Sequence, residues 1–156
     1  MIITDRDIAN SQINQWKEAG YTIVFTNGCF DILHLGHIKL LSAAKEKGDR
    51  LVVGLNGDQS VQRLKGHDRP LQPFDDRATI LDALEAVDLV IGFEEDTPAE
   101  IISELLPDIL VKGGDYNTNT IVGADTVIAN GGIVETIPLV PEKSTTKLVD
   151  RIIKSK

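Results

Sequence analysis

The sequence predicts an α/β fold: a doubly wound, mostly parallel sheet of five strands with helices on both faces, formed as one domain over 1–156. Three observations predict it. Apolar, β-rich runs alternate with stretches of helical periodicity along the whole chain. The helical stretches have the length of crossovers between parallel strands, which run right-handed. No linker, repeat or low-complexity tract breaks the alternation, and 156 residues suffice for a real core.

The elements follow in order. Residues 1–20 form an N-terminal helical extension, with Thr4 as expected cap, a stripe of Ile8, Ile13 and Trp16, and a stop at Gly20. Tyr21–Phe25 is the first strand, ended by Asn27-Gly28. Ile38, Leu40, Leu41 and Ala44 keep helical spacing from Gly36 to Gly48, and Leu51–Leu55 is the second strand. Asp58–Leu64 reads as a short helix, Lys65–Pro70 as a loop and Asp75–Ala86 as a helix before the third strand, Leu89–Ile91. Thr97-Pro98 opens a helix ending at Pro107, since proline suits a first helical position. Ile109–Val111 is the fourth strand, Ala124–Asn130 a short helix and Ile133–Ile137 the fifth strand. Ser144-Thr145-Thr146 begins a closing helix carrying Leu148, Val149, Ile152 and Ile153.

Composition narrows the function classes. Sixteen basic against 24 acidic residues give a formal charge of −8, with no run of Lys and Arg, which argues against nucleic acid or an anionic membrane as partner. A small anion needs only a local cationic cluster. No apolar stretch nears the roughly 20 residues of a membrane span, and the first residues lack the pattern of a signal peptide. A cytoplasmic protein is expected. The single cysteine, Cys29, permits neither an internal disulfide nor a cysteine-built zinc cage.

In a sheet of this kind ligands bind where the carboxyl ends of the strands diverge. Four polar segments should meet there: Thr26–His37, Asn56-Gly57-Asp58, Lys112–Asp115 and Pro141–Thr146. Within the first, Asn27-Gly28 allows a tight turn and close backbone approach. His34 and His37, three residues apart at a helix start, place both rings on one face. Gly36 leaves room for a phosphate, and the helix N-terminus adds unpaired N–H groups and a positive dipole end. By themselves two histidines fit a helix cap at His34 and a surface or half-buried ring at His37 better than an anion site.

The whole string Thr26-Asn27-Gly28-Cys29-Phe30-Asp31-Ile32-Leu33-His34-Leu35-Gly36-His37 resembles the signature of the cytidylyltransferase-like nucleotidyltransferases. Arg63-Leu64-Lys65-Gly66, Asp76-Arg77, Val111-Lys112-Gly113-Gly114-Asp115-Tyr116 and Ser144-Thr145-Thr146-Lys147 match that superfamily in order and approximate spacing. Within it the sequence is most similar to adenylyltransferase domains that make ADP-heptose from heptose 1-phosphate and ATP. The resemblance implies a Rossmann-like sheet of the HIGH nucleotidyltransferase type, ATP with Mg²⁺, a sugar phosphate acceptor and pyrophosphate release. It further implies catalytic roles for His34, His37, Lys65 and Arg77. Nucleotide contacts would come from Asn27, Gly28, Cys29, Phe30, His34, His37, Lys112, Gly113, Ser144, Thr145 and Thr146, and acceptor contacts from Asp31, Asn56, Lys65, Arg77 and Asp115. Mg²⁺ would be held by nucleotide oxygens and water, with Asp31 either near it, orienting a histidine, or stabilising a turn. The family is often dimeric, and the sugar kinase domain often fused ahead of such a module is not part of this sequence, so a stand-alone transferase is expected. One departure stands out: Pro141-Glu142-Lys143 replaces the loop expected before the Ser/Thr run.

Three other readings compete. A CTP-dependent enzyme acting on glycerol 3-phosphate or a similar ester would share these motifs. A hydrolase would use Cys29 as nucleophile. A nucleotide sensor would bind without turnover. Arg63, Arg69 and His67 receive no role, and Trp16 and Tyr116 are expected to pack.

Overall fold

The computed structural model describes residues 1–114, 116–138, 140 and 145–155, the side chain of Asn119 excepted. In chain order the elements are β1 (Ile2–Ile3), α1 (Arg6–Glu18), β2 (Ile23–Gly28), α2 (Leu35–Lys45), β3 (Arg50–Asn56), α3 (Asp58–Lys65), α4 (Phe74–Asp82), β4 (Leu89–Phe93), α5 (Ala99–Leu105), β5 (Ile109–Gly113), a 3₁₀ turn (Thr118–Thr120), α6 (Ala124–Ala129), β6 (Ile133–Ile137) and α7 (Thr145–Lys154). The strands form one sheet in the order β1-β4-β3-β2-β5-β6, with every pairing parallel. Among the described residues no helix is long and apolar enough to cross a membrane.

The sheet has six strands where the sequence pattern predicts five. Ile2–Ile3 is too short to show a period of its own; it is a strand because it pairs with Val90 and Ile91 at the edge of the sheet. The helix that follows is capped by Asp5 rather than Thr4. Asp5 is extended (φ −85°, ψ 123°) and its Oδ1 accepts from the Ile8 N–H at 3.1 Å. Its buried stripe is Ala9 and Ile13, while Ile8 is exposed. The next strand starts at Ile23 rather than Tyr21 and runs on to Gly28, because its pairing with β3 continues through Asn27↔Gly54 and Gly28↔Leu55.

Side chains of β2 alternate between two cores, as the period of a strand requires. Ile23 and Phe25 enter a layer with Ile13, Ile91, Ile102 and Val127 under α1, α5 and α6. Val24 enters the opposite layer with Leu41, Val53, Leu81 and Val111 under α2 and α4. Each such fully buried side chain stabilises the fold by about 1.5–3 kcal/mol before entropy is counted.

The chain winds from β2 through β3 to β4 in one direction, then returns through α5 to lay β5 on the other side of β2. The topological switch therefore lies between β2 and β5, and the loops beyond their carboxyl ends diverge there.

Candidate active site

The site begins where β2 ends. Thr26 is fully buried, and the chain then leaves the sheet through Asn27-Gly28. A Cβ on Gly28 would lie 3.0 Å from the Phe30 ring, so a side chain there would press on the folded-back ring. Phe30 itself has φ 44°, a left-handed conformation that costs a non-glycine residue about 1–3 kcal/mol. Burial of its ring, 4% exposed and edge-on to His37 with centroids 5.0 Å apart, offsets that cost.

The two histidines do different work. His34 is the N-cap of α2: its backbone is extended (φ −142°, ψ 170°) and its Nδ1 accepts from the Gly36 N–H at 3.1 Å. That bond requires Nδ1 to be unprotonated and leaves the ring proton on Nε2. One turn on, His37 stacks against it with centroids 3.8 Å apart and planes 21° from parallel. Burial, with a smaller contribution from the charge of His34, pushes the His37 pKa down to about 4. His37 is therefore neutral at pH 7, and its Nδ1 is buried with no hydrogen-bond partner among the described residues. The tautomer that leaves the fewest unmet donors again carries the proton on Nε2. At this helix N-terminus His37 is therefore a neutral N–H donor.

These rings open onto a cavity of ≈ 850 Å³ at the switch point. On the β5 side Lys112 reaches across the switch, its Nζ 3.3 Å from Asn27 Oδ1. Burial lowers its pKa; Cys29 raises it, and the charge of Lys65 lowers it further. Two like charges so placed, neither in an ion pair among the described residues, leave a field that an anion would relieve. At the start of α7 the Thr145 hydroxyl donates to the Ile32 carbonyl at 3.3 Å, which docks a second helix beginning against the segment leading into α2.

The cytidylyltransferase-like family model matches residues 25–151. The chain belongs to the cytidylyltransferase-like family. The bifunctional protein HldE of Granulibacter bethesdensis is 55% identical over 144 residues, 92% of this chain and 30% of that protein. HldE of Mesorhizobium japonicum is 54% identical over 150 residues, 96% of this chain and 30% of that protein. The chain thus spans under a third of the length of these curated relatives. Among solved structures, the lipopolysaccharide core biosynthesis protein from Thermoplasma volcanium superposes with a TM-score of 0.61 at 31% identity, over 78% of this chain and 98% of that one. Pantoate-beta-alanine ligase from Francisella tularensis gives 0.65 at 14% identity, over 99% of this chain and 78% of that one, a likeness of fold.

In this cytidylyltransferase-like chain, Asn27, Gly28, Cys29, Phe30, Asp31, His34, His37, Asn56, Lys65, Lys112, Thr145 and Thr146 all border the one cavity, although they come from five separate segments. Ser144, Asp115 and the Pro141-Glu142-Lys143 loop lie outside the described residues. Gly113 does not border it; it lies in the ladder opposite Ile137.

Arg77 is the main correction. Expected to grip a phosphate, it is 1% exposed and spends its guanidinium on the protein. Nε donates to the Gln72 carbonyl (3.0 Å), Nη1 to those of Cys29 (2.6 Å) and Asn56 (2.8 Å), and Nη2 to Asp58 (2.7 Å). It ties the loops after β2 and β3 together beneath the cavity. Asp31 is likewise committed to the protein. Its Oδ1 accepts from the Leu71 and Gln72 N–H groups (2.8 and 3.0 Å) and its Oδ2 from Arg69 (2.9 Å). Burial alone would raise its pKa, but these donors outweigh burial and hold it below the usual carboxylate range. These bonds fit the turn-stabilising alternative. Asn56, 4% exposed, is half committed, its Nδ2 donating to Ser60 Oγ at 3.0 Å. Burial raises the Cys29 thiol pKa despite Lys65, Arg77 and Lys112, so the thiolate a cysteine hydrolase needs is disfavoured. Arg69 also borders the cavity, and sequence reasoning assigned it nothing. The available signal was the buried Asp31, which needs a partner, but that partner lies 38 residues away.

Proposed function

We propose that this chain transfers the adenylyl group of ATP to the phosphate of a sugar 1-phosphate, heptose 1-phosphate, releasing pyrophosphate and giving ADP-heptose. The observation that carries the reaction class is the stacked His34–His37 pair at the start of α2, facing Lys65 and Lys112 in one cavity at the switch point. The HldE relatives, a relative named for lipopolysaccharide core biosynthesis, and the Arg63–Gly66 and Val111–Tyr116 strings support a sugar acceptor and ATP.

The chemistry asks for little acid–base help. A phosphate monoester has a second pKa near 6, so at pH 7 its attacking oxygen is largely ionised. That oxygen forms a new bond to the α-phosphorus of ATP while the bond to the β-bridging oxygen breaks, and pyrophosphate leaves with that electron pair. The protein must hold two polyanions in line and stabilise charge that builds on the transferred phosphoryl oxygens. Two Nε2–H donors and the N–H groups of α2 suit the α-phosphate; Lys112 and the start of α7 suit the departing pyrophosphate. Among the described residues no group of three or more acidic, His or Cys side chains converges as a metal cage. Mg²⁺ would be held by nucleotide phosphate oxygens and water and would supply charge neutralisation there.

The test is pyrophosphate release on mixing the protein with ATP, Mg²⁺ and heptose 1-phosphate, followed by a competition among four nucleoside triphosphates. ADP-heptose as main product is expected. A preference for CTP would replace the base assignment, and no pyrophosphate across a broad acceptor panel would leave a binding protein.

A further inference from the structure

The α3–α4 connection carries a cation that the proposed reaction has so far not used. Arg69 borders the cavity with a side chain 20% exposed, and among the described residues its guanidinium is engaged through Nη1, by Asp31 Oδ2 at 2.9 Å. Asp31 is 6% exposed at its side chain and binds the backbone of Leu71 and Gln72 as well. One carboxylate therefore fixes both the guanidinium and the turn that follows it to the segment leading into His34. Arg69 is held in register with the histidines although it lies far from them in sequence.

Its side of the cavity matters. Lys112 and Thr145 come from the β5 and α7 flank, and His34 and His37 sit centrally after β2. Arg69, Lys65 and Asn56 come from the opposite flank, beyond β3. An in-line transfer places the reacting phosphorus between leaving group and nucleophile, so the two outer anions need cations on opposite sides. With the triphosphate on α2 and α7, the β3 flank is left for the second anion. A guanidinium with one nitrogen anchored keeps donors for two phosphate oxygens, a fork geometry that a lysine cannot reproduce.

We infer that Arg69 binds the phosphate of the acceptor, with Lys65 supplying further charge, and that Asp31 is the positioning residue that presents Arg69. The inference rests on the nucleotidyl-transfer reading above.

The test compares Arg69→Gln, Arg69→Lys, Asp31→Asn and the Arg69→Gln/Asp31→Asn double variant with wild type, all first matched for thermal midpoint. The expected result for Arg69→Gln is an acceptor KM raised about tenfold or more, with the KM for ATP changed less than twofold. Arg69→Lys should recover only part of that loss. Asp31→Asn should raise the acceptor KM less than Arg69→Gln, and the double variant should be no worse than Arg69→Gln alone, because Asp31 acts through Arg69. An unchanged acceptor KM in Arg69→Gln, or a loss falling on ATP instead, overturns the assignment of Arg69. Additive losses spread over both substrates overturn that of Asp31. Should wild type release no pyrophosphate, the functional reading fails separately. Arg69 is then judged by calorimetric binding of glucose 1-phosphate to the nucleotide-loaded protein, where equal affinity in wild type and Arg69→Gln overturns it.

Discussion

The two ends of the parallel sheet use their charged residues differently. At the amino end an acidic residue stands just before each of β3, β4 and β5, and each repeats one device. Asp49 takes the Thr22 N–H (2.8 Å), Asp88 the Leu51 N–H (2.7 Å) and Asp108 the Ile23 N–H (2.7 Å), while each donates its own N–H to the same neighbour's carbonyl. Lys45 and Arg50 close on Asp88 at 2.6 and 2.9 Å. Charges there are spent on holding strands in register. Among the described residues at the carboxyl end, Lys65 and Lys112 have no ion pair and His37 keeps a buried nitrogen without a partner. At the amino end charges stabilise by finding each other, whereas at the carboxyl end some are left for a ligand.

The largest expected effect tests the carboxyl end. His37→Ala should lower kcat by roughly 10²–10³-fold, the loss typical of one transition-state donor, with the thermal midpoint little moved. A steady-state assay beside a melting curve decides it, and turnover near wild type would remove His37 from the mechanism. Asp88→Ala probes the other end. It should cost about 2–3 kcal/mol in urea unfolding, since one N–H and two cations lose their acceptor, while kcat per folded molecule stays unchanged. The sign with pH is fixed: the donors outweigh burial and depress the Asp88 pKa, so its contribution is present above the unfolded value and is lost as pH falls through the depressed folded one.

Smaller effects sharpen the contrast. Lys112→Met should weaken ATP binding about tenfold, roughly 1.4 kcal/mol, without lowering stability, because a desolvated lysine with one neutral partner contributes little to the fold. Equilibrium titration and a melting curve together check this. The smallest effect is proton linkage at His37. With a folded pKa of about 4 against 6.5, the unliganded protein should lose stability as pH falls between those values, since the unfolded chain takes up the proton first. A bound triphosphate should raise that pKa, so nucleotide binding takes up a fraction of a proton near pH 5.5. Calorimetry in two buffers of different ionisation heat measures the uptake, and His37→Asn should abolish the excess; equal uptake in both proteins would place the proton elsewhere.

Sequence by itself determined the alternation of strands and helices, the carboxyl-end location of the site and the histidine pair at a helix start. Each is a local matter of side-chain period, turn chemistry or helix spacing. Tertiary structure alone decided the edge strand Ile2–Ile3, which exists only through pairing with β4, and the charge state of His37, which burial sets. It also separated three cationic side chains that look alike in sequence. Arg77 is used up inside the protein, Arg69 is anchored at the cavity wall and Lys112 meets a neutral amide across the switch point. Whether a charge is spent or available depends on which acceptors the fold brings within 3 Å, and those acceptors lie 38 residues away for Arg69 and up to 48 for Arg77 along the chain.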